Sequence, residues 1–270
     1  MPRGLDHIVH AVRDLDAAAE AYRKLGFTVG ARNRHPWGTH NHIVQLPGFF
    51  IELLTLAEPD RLGDDGFSKL FGAYNGGFIE RHDGLSLLVL ETANAAADEV
   101  AFRAAGIAQS ETMRFEREGK QPDGTTVKVG FSLAFAEDRH APDIHFAVCQ
   151  QHYPENFWNP AFQTHANGVQ AIAGVVMVAD EPARHREFLL AYTGAARADA
   201  DGEGYRLDLP RGVLDVITPK AFTQRYGQDS PATARGPRLA ALRFSGHALT
   251  AGQQTVLGVL GAVLVFEAAA

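Results

Sequence analysis

The chain has 270 residues and a single cysteine, Cys149. No intrachain disulfide can form, and the composition fits a reducing compartment. Cys149 lies in the apolar run "HFAVC", where a buried structural thiol is expected. Positive charge is scarce as well. The formal net charge is −7, which argues against a nucleic-acid partner, because such proteins carry a basic face. No apolar run approaches the roughly 20 residues of a membrane span, and no apolar signal region opens the sequence. The expectation is a soluble, cytoplasmic protein with neither nucleic-acid nor membrane partners. Also missing are a G-x-S-x-G elbow, a P-loop, an H-E-x-x-H helix and a dinucleotide fingerprint.

What the sequence does contain is a repeated unit. Leu5 to Val12 reads as a strand, Asp14 as an N-cap, Ala17 to Leu25 as a helix and Gly26 as its stop. Strands follow at Phe27–Arg32, Asn41–Leu46 and Phe49–Leu56, the last two joined by the Pro47-Gly48 turn. The order is βαβββ. It recurs with strands at Leu85–Glu91, Met113–Glu118, Thr126–Glu137 and Ile144–Gln150 and a helix at Ala95–Ala105. A third copy begins at Ile172, with Val178 set on Val12 and strands at Tyr205–Leu209 and Val213–Thr218. A shorter fourth copy runs from Leu239 to Phe266, with a helix expected in "LTAGQQTVLGVL" and a final strand "AVLVF". The fold class is therefore α+β, built of tandem βαβββ modules. We divide it into a half at 1–153 (modules 1–60 and 84–150, linker 61–83 with a helix near Phe67–Tyr74), a connector at 154–167, and a degenerate half at 168–270 (module 168–219, partial module 237–270).

Two polar side chains stand out in apolar strands: His7 in "DHIVHAV" and Glu52 in "FFIELLTL". A carboxylate is costly to bury unless it is paired or bound to a cation. One strand opens the module and the other closes it, so a curled sheet would aim both into one concave face. Setting Ile144 on Ile51 places His145 on Glu52, and Leu87 falls on His7. His7, Glu52 and His145 then make a two-histidine, one-carboxylate set that suits Fe, Mn, Zn, Ni or Co as a divalent ion. In the third copy Ala173 replaces His7 and Asp215 replaces Glu52, so that half reads as metal-free. Glu52 or His40 is the expected proton acceptor. His35, His40 and His42 crowd the loop "HPWGTHNH", and Asn41 beside them is expected to bind substrate. In the connector region His152, Trp158 and His165 are further substrate-binding candidates, with Phe157 and Phe162 available to cap an apolar pocket.

"LDHIVHAVRDLDAAAEAYRKLGF" followed by "IELL" resembles the first module of the vicinal oxygen chelate superfamily, which includes glyoxalase I, extradiol dioxygenases and bleomycin-resistance proteins. "HPWGTHNHIVQL" and "WNPAFQTHANG" resemble the bacterial glyoxalase-like domain proteins within it. The resemblance implies paired modules curved into barrel-like sheets, with a divalent metal held at His7, Glu52 and His145. Leu87 departs from it, since many relatives carry a ligand there. The implied function is a metal-dependent lyase or isomerase that chelates two adjacent oxygens of a small molecule. The alternatives are an extradiol-type dioxygenase and a metal-free protein that sequesters a small ligand. Two paired halves in one chain leave room for a homodimer without requiring one.

Overall fold

Asp14 caps the first helix through its side chain, which accepts a hydrogen bond from Ala17 N at 2.9 Å. Such a cap fixes where a helix starts. The computed structural model describes residues 1–120, 124–246 and 254–268. Module one comprises β1 (Leu5–Ala11), α1 (Leu15–Lys24), β2 (Asn33–Arg34), β3 (Thr39–Leu46) and β4 (Phe49–Leu56). A π-helical turn at Ser68–Ala73 then runs into α2 (Tyr74–Arg81). Module two comprises β5 (Gly84–Glu91), α3 (Ala95–Ala104), β6 (Met113–Lys120), β7 (Thr126–Ala136) and β8 (His145–Gln151). After the short α4 (Pro154–Phe157), the second half holds β9 (Val169–Val178), α5 (Arg186–Thr193), β10 (Asp199–Ala200), β11 (Gly204–Asp208), β12 (Val213–Ile217), α6 (Pro219–Tyr226), β13 (Arg238–Gly246), β14 (Gln254–Val259) and β15 (Ala262–Ala268).

The strands form a large, curved, unclosed sheet. The first half runs β2-β3-β4-β1-β5-β8-β7-β6 and the second β10-β11-β12-β9-β13-β15-β14. They join at one pair, Leu239 with Leu85. In each half the first strands of two modules lie antiparallel, β1 on β5 and β9 on β13. The pairs His7 with Val89 and Val9 with Leu87 relate the first two modules by a local twofold. A bulge interrupts each strand at matching places. Asp6 is the extra residue on β1, and Ser86 is the extra residue on β5.

The largest core lies between the two halves. It gathers Ile8, Leu88 and Phe146 of the first half with Val175, Leu189, Leu242 and Phe244 of the second. Helix α5 reaches across it, and the Tyr192 hydroxyl lies 2.8 Å from both Leu88 O and Ala147 O. Each half also has a second apolar face. In the second half α6 covers it, with Phe222 and Tyr226 on Val176, Ile217 and Val265. In the first half the segment from Ser68 to Arg81 covers part of it, with Phe71, Phe78 and Ile79 on Val9, Ala11, Leu87 and Phe135.

Three expectations need correction. Residues 27–32 do not form a strand, because Thr28 N is taken by His165 Nδ1 at 3.0 Å and leaves the ladder. The helix near Phe67–Tyr74 is longer and continues to Arg81. "LTAGQQTVLGVL" is not helical over Gln254–Val259, which pairs antiparallel with β15. Thr255, Val256 and Val259 are β-branched and pack better on a pleated surface, while 249–253 lie outside the described residues.

The Tyr192 hydroxyl offers a test of the inter-half core. Tyr192→Phe deletes a buried hydrogen bond worth about 1–2 kcal/mol, and urea denaturation should show a loss of that size with an unchanged m-value.

Candidate functional site

The bulge at Asp6 explains why an aspartate precedes His7. Strict alternation sends neighbouring side chains to opposite faces, and a bulge re-aims one of them. Asp6 Oδ1 accepts a hydrogen bond from His7 Nδ1 at 2.5 Å, and Gln151 Nε2 donates to Asp6 Oδ2 at 3.1 Å. This leaves His7 Nε2 for the pocket. The ring is also fixed by stacking on Phe50, with centroids 4.2 Å apart.

Glu52 shares that concave face. Val9 pairs with Glu52 and His7 with Phe50 across the parallel β1 and β4 strands, so His7 and Glu52 are diagonal neighbours. Asn41 and Ile43 on β3 face the same way, with Ile43 directly opposite Glu52. Asn41 Nδ2 donates to Glu52 Oε1 at 2.5 Å. Burial raises the Glu52 carboxyl above the usual range, while His7 and the Asn41 hydrogen bond pull the other way.

The pocket above these groups is lined by His7, His35, Asn41, Glu52 and Arg117 among aromatic walls that include Trp37, Phe67 and Phe115. Its volume is about 70 Å³, room for a few waters. His35, from the histidine-rich loop before β3, belongs to the site. Its Nε2 lies 3.9 Å from Glu52 Oε1, and Nδ1 is 2.8 Å from the Thr39 hydroxyl. Burial, with Arg117 and His40 nearby, pushes its pKa down to about 3, so the ring is neutral. It is stacked on Trp37, which is stacked on Phe67 in turn. Cys149 also lines the pocket, within ligand reach of Asp6 and His7. Burial pushes its thiol up, which makes it a poor nucleophile.

The other sequence candidates lie elsewhere. The strand register corrects the alignment that brought in His145. Leu87 pairs with His145 as His7 pairs with Phe50, so His145 occupies the Phe50 position and Ala147 the Glu52 position. His145 lies under the inserted segment, with Nδ1 donating to Leu70 O at 3.0 Å and its ring stacked on Tyr74. His40 points away from Asn41 and binds Glu58 Oε1 at 2.8 Å and Arg32 Nε at 3.2 Å. His152 bonds the Ser132 hydroxyl at 2.7 Å. His165 ties the connector to β3 by donating to Gln45 O at 2.8 Å. Trp158 borders a separate cavity with Asp6, Gln151 and Arg211, and Phe157 is the connector residue that reaches the pocket.

In the second half the register puts Gly174, rather than Ala173, at the His7 position when Asp215 is set on Glu52. Asp215 is fully buried and accepts from Arg206 Nε and Arg243 NH1, both at 2.8 Å. Two guanidinium groups stand there where Glu52 has open pocket.

Arg117 and the aromatic walls were missed in the sequence. Met113, Phe115 and Arg117 alternate along β6, opposite Leu133, Phe131 and Val129 of β7. That period-two pattern was the available signal.

Residues 5–193 match the family described as a glyoxalase-like domain. No curated protein sequence matches the chain. Among solved structures, a hypothetical protein from Staphylococcus aureus is similar over 100% of both chains, with a TM-score of 0.72 and 14% identity. A triple mutant of 4-hydroxymandelate synthase from Streptomyces coelicolor is similar over 90% of this chain and 71% of that one, with a TM-score of 0.51 and 13% identity. At such identities the likeness is one of fold.

The His145 environment predicts a pH dependence. Burial holds its pKa down to about 4, below the unfolded value, so its contribution is complete above the unfolded pKa and is lost as pH falls towards 4. Between pH 7 and pH 5 the loss amounts to about 2 kcal/mol. In denaturant titrations His145→Phe should lose that much less stability than the wild type over the same interval.

Proposed function

We propose a metal-dependent activity for this chain, which belongs to the glyoxalase-like domain family of the vicinal oxygen chelate superfamily. The observation that carries the proposal is the pair His7 and Glu52 on one concave wall. The histidine is backed by a carboxylate, and the glutamate has no cationic side chain in contact among the described residues. A metal-ligating histidine commonly donates its other N–H to a carboxylate, as His7 does to Asp6. Imidazole and carboxylate donors suit a divalent transition ion, so this donor set fits the group the superfamily commonly binds. When bound, such an ion supplies Lewis acidity towards two adjacent substrate oxygens.

The chain's own residues would do the rest. His7 and Glu52 would hold the ion. Asn41 fixes Glu52 Oε1 and leaves its other oxygen to bind the ion or take a proton from the substrate. The neutral His35 ring, its pKa pushed down to about 3, is a weak proton acceptor and serves instead as a hydrogen-bonding group beside Glu52. The aromatic walls exclude water and strengthen each charge interaction inside. We favour lyase or isomerase chemistry on a small substrate, with extradiol-type ring cleavage as the alternative reaction. A second reading, a metal-free protein that sequesters a small ligand, is favoured by Leu87 and Ala147, which leave two ligand positions of the local twofold without donors.

Metal content decides between them. Wild-type protein dialysed with Fe(II), Mn(II), Ni(II) or Zn(II) should retain about one equivalent of at least one ion, and His7→Ala and Glu52→Ala should lose it. Asp6→Asn should weaken retention roughly 10- to 100-fold. A wild type that retains none of the four ions overturns the metal reading and leaves the sequestering one.

A further inference from the structure

We infer that Arg117 is the anion-binding residue of this pocket and that the pocket takes a small aromatic carboxylate. This deepens the reading above, because it names the ligand class of the same site, and it does not depend on the metal.

Arg117 is the one arginine or lysine among the residues that line the pocket. Its position follows from alternation on β6, which puts Met113, Phe115 and Arg117 on the pocket face and Arg114, Glu116 and Glu118 on the other. The hairpin's acid does not reach it. Glu116 is taken by Arg114 at 2.5 Å and by Lys128 at 2.6 Å. Among the described residues no carboxylate lies within ion-pair distance of the Arg117 guanidinium, whose hydrogen bond goes from NH1 to Glu118 O at 3.1 Å. Glu52 acts on it through space without touching it. A half-buried guanidinium with N–H groups left unused among the described residues is a planar fork that matches a carboxylate.

The surroundings restrict what that carboxylate is attached to. Phe50, Phe71, Phe115, Phe131 and Phe157 share the pocket wall with Trp37, so the body of the ligand meets ring faces and edges. The pocket holds about 70 Å³ and shares Ile43, Arg117 and Phe157 with an adjoining groove of about 130 Å³, which restricts the ligand to a small molecule. Glu52, on the same wall, disfavours a dianion such as phosphate and leaves a monoanion as the better match. Arg117 also borders the adjoining groove with Gly119, Val129 and Asn156, which places the cation between the two spaces. The ring would enter the aromatic box, with its charged group held at Arg117 beside the groove.

The test is calorimetric titration of metal-free, chelator-treated protein with phenylacetate and with its neutral isostere phenylacetamide. Wild type should bind the acid at least about tenfold tighter than the amide, the equivalent of one charge-assisted hydrogen bond. Arg117→Gln should bring the two ligands to parity with amide binding unchanged, which also shows that the pocket is intact. Arg117→Lys should keep part of the preference. Glu52→Gln should enlarge it by removing a competing carboxylate. The inference is overturned if wild type binds acid and amide alike, if Arg117→Gln keeps the preference, or if neither ligand binds. Failure here leaves the metal reading standing, since retention of metal is read separately from His7→Ala and Glu52→Ala.

Discussion

A curved sheet with two apolar faces must have both covered, and the rest of this molecule follows from how that is done. Burying apolar surface is the main favourable contribution to folding. One face of each half lies in the shared core, where α5 crosses to Leu88 and Ala147. The other face is concave, and the halves fill it differently. The second half lays α6 into it. The first half fills one end with the segment from Ser68 to Arg81 and leaves the other end hollow. The site is that hollow.

The same contrast holds for charge. A buried carboxylate needs a counter-charge or a proton. Asp215 has two guanidinium groups in direct contact. Glu52, at the matching strand position, has an amide donor at 2.5 Å, a histidine nitrogen at 3.9 Å and an arginine that acts through space. The second half closes its electrostatics with its own side chains, and the first leaves them open to whatever enters the pocket. This difference separates the two halves more clearly than residue type does, because both carry an acid there.

Much of this was legible in the sequence. The βαβββ repeats, the cap at Asp14 and the polar pair His7 and Glu52 all follow from periodicity and from the cost of burying polar groups. The α+β class and the glyoxalase-like kinship follow with them. Three things were not legible, each for a physical reason. His145 was misplaced because "DIHFAVC" and "FFIELLTL" can be aligned in registers two residues apart without changing which face is apolar, and only the pairing with Leu87 fixes the choice. His35 read as a loop histidine because its burial comes from Trp37, Phe71 and Phe115, which are distant in sequence or held by the loop itself. The segment from Ser68 to Arg81 is rich in glycine and polar residues and gave little sign that Phe71, Phe78 and Ile79 enter the concave face.

The bulge at Ser86 has a consequence for the half-site that carries no donors. Ser86 and Leu87 stand where Asp6 and His7 stand in the first module, and Ser86 bonds Asn75 at 2.6 Å instead of backing a histidine. Removing the extra residue would slip β5 by one position against β1 and turn its apolar side chains inside out. The distortion is therefore held in place by the whole strand pair rather than by the chemistry of the two side chains it carries. The backbone keeps the socket whatever fills it: a place where two consecutive side chains can meet on one face.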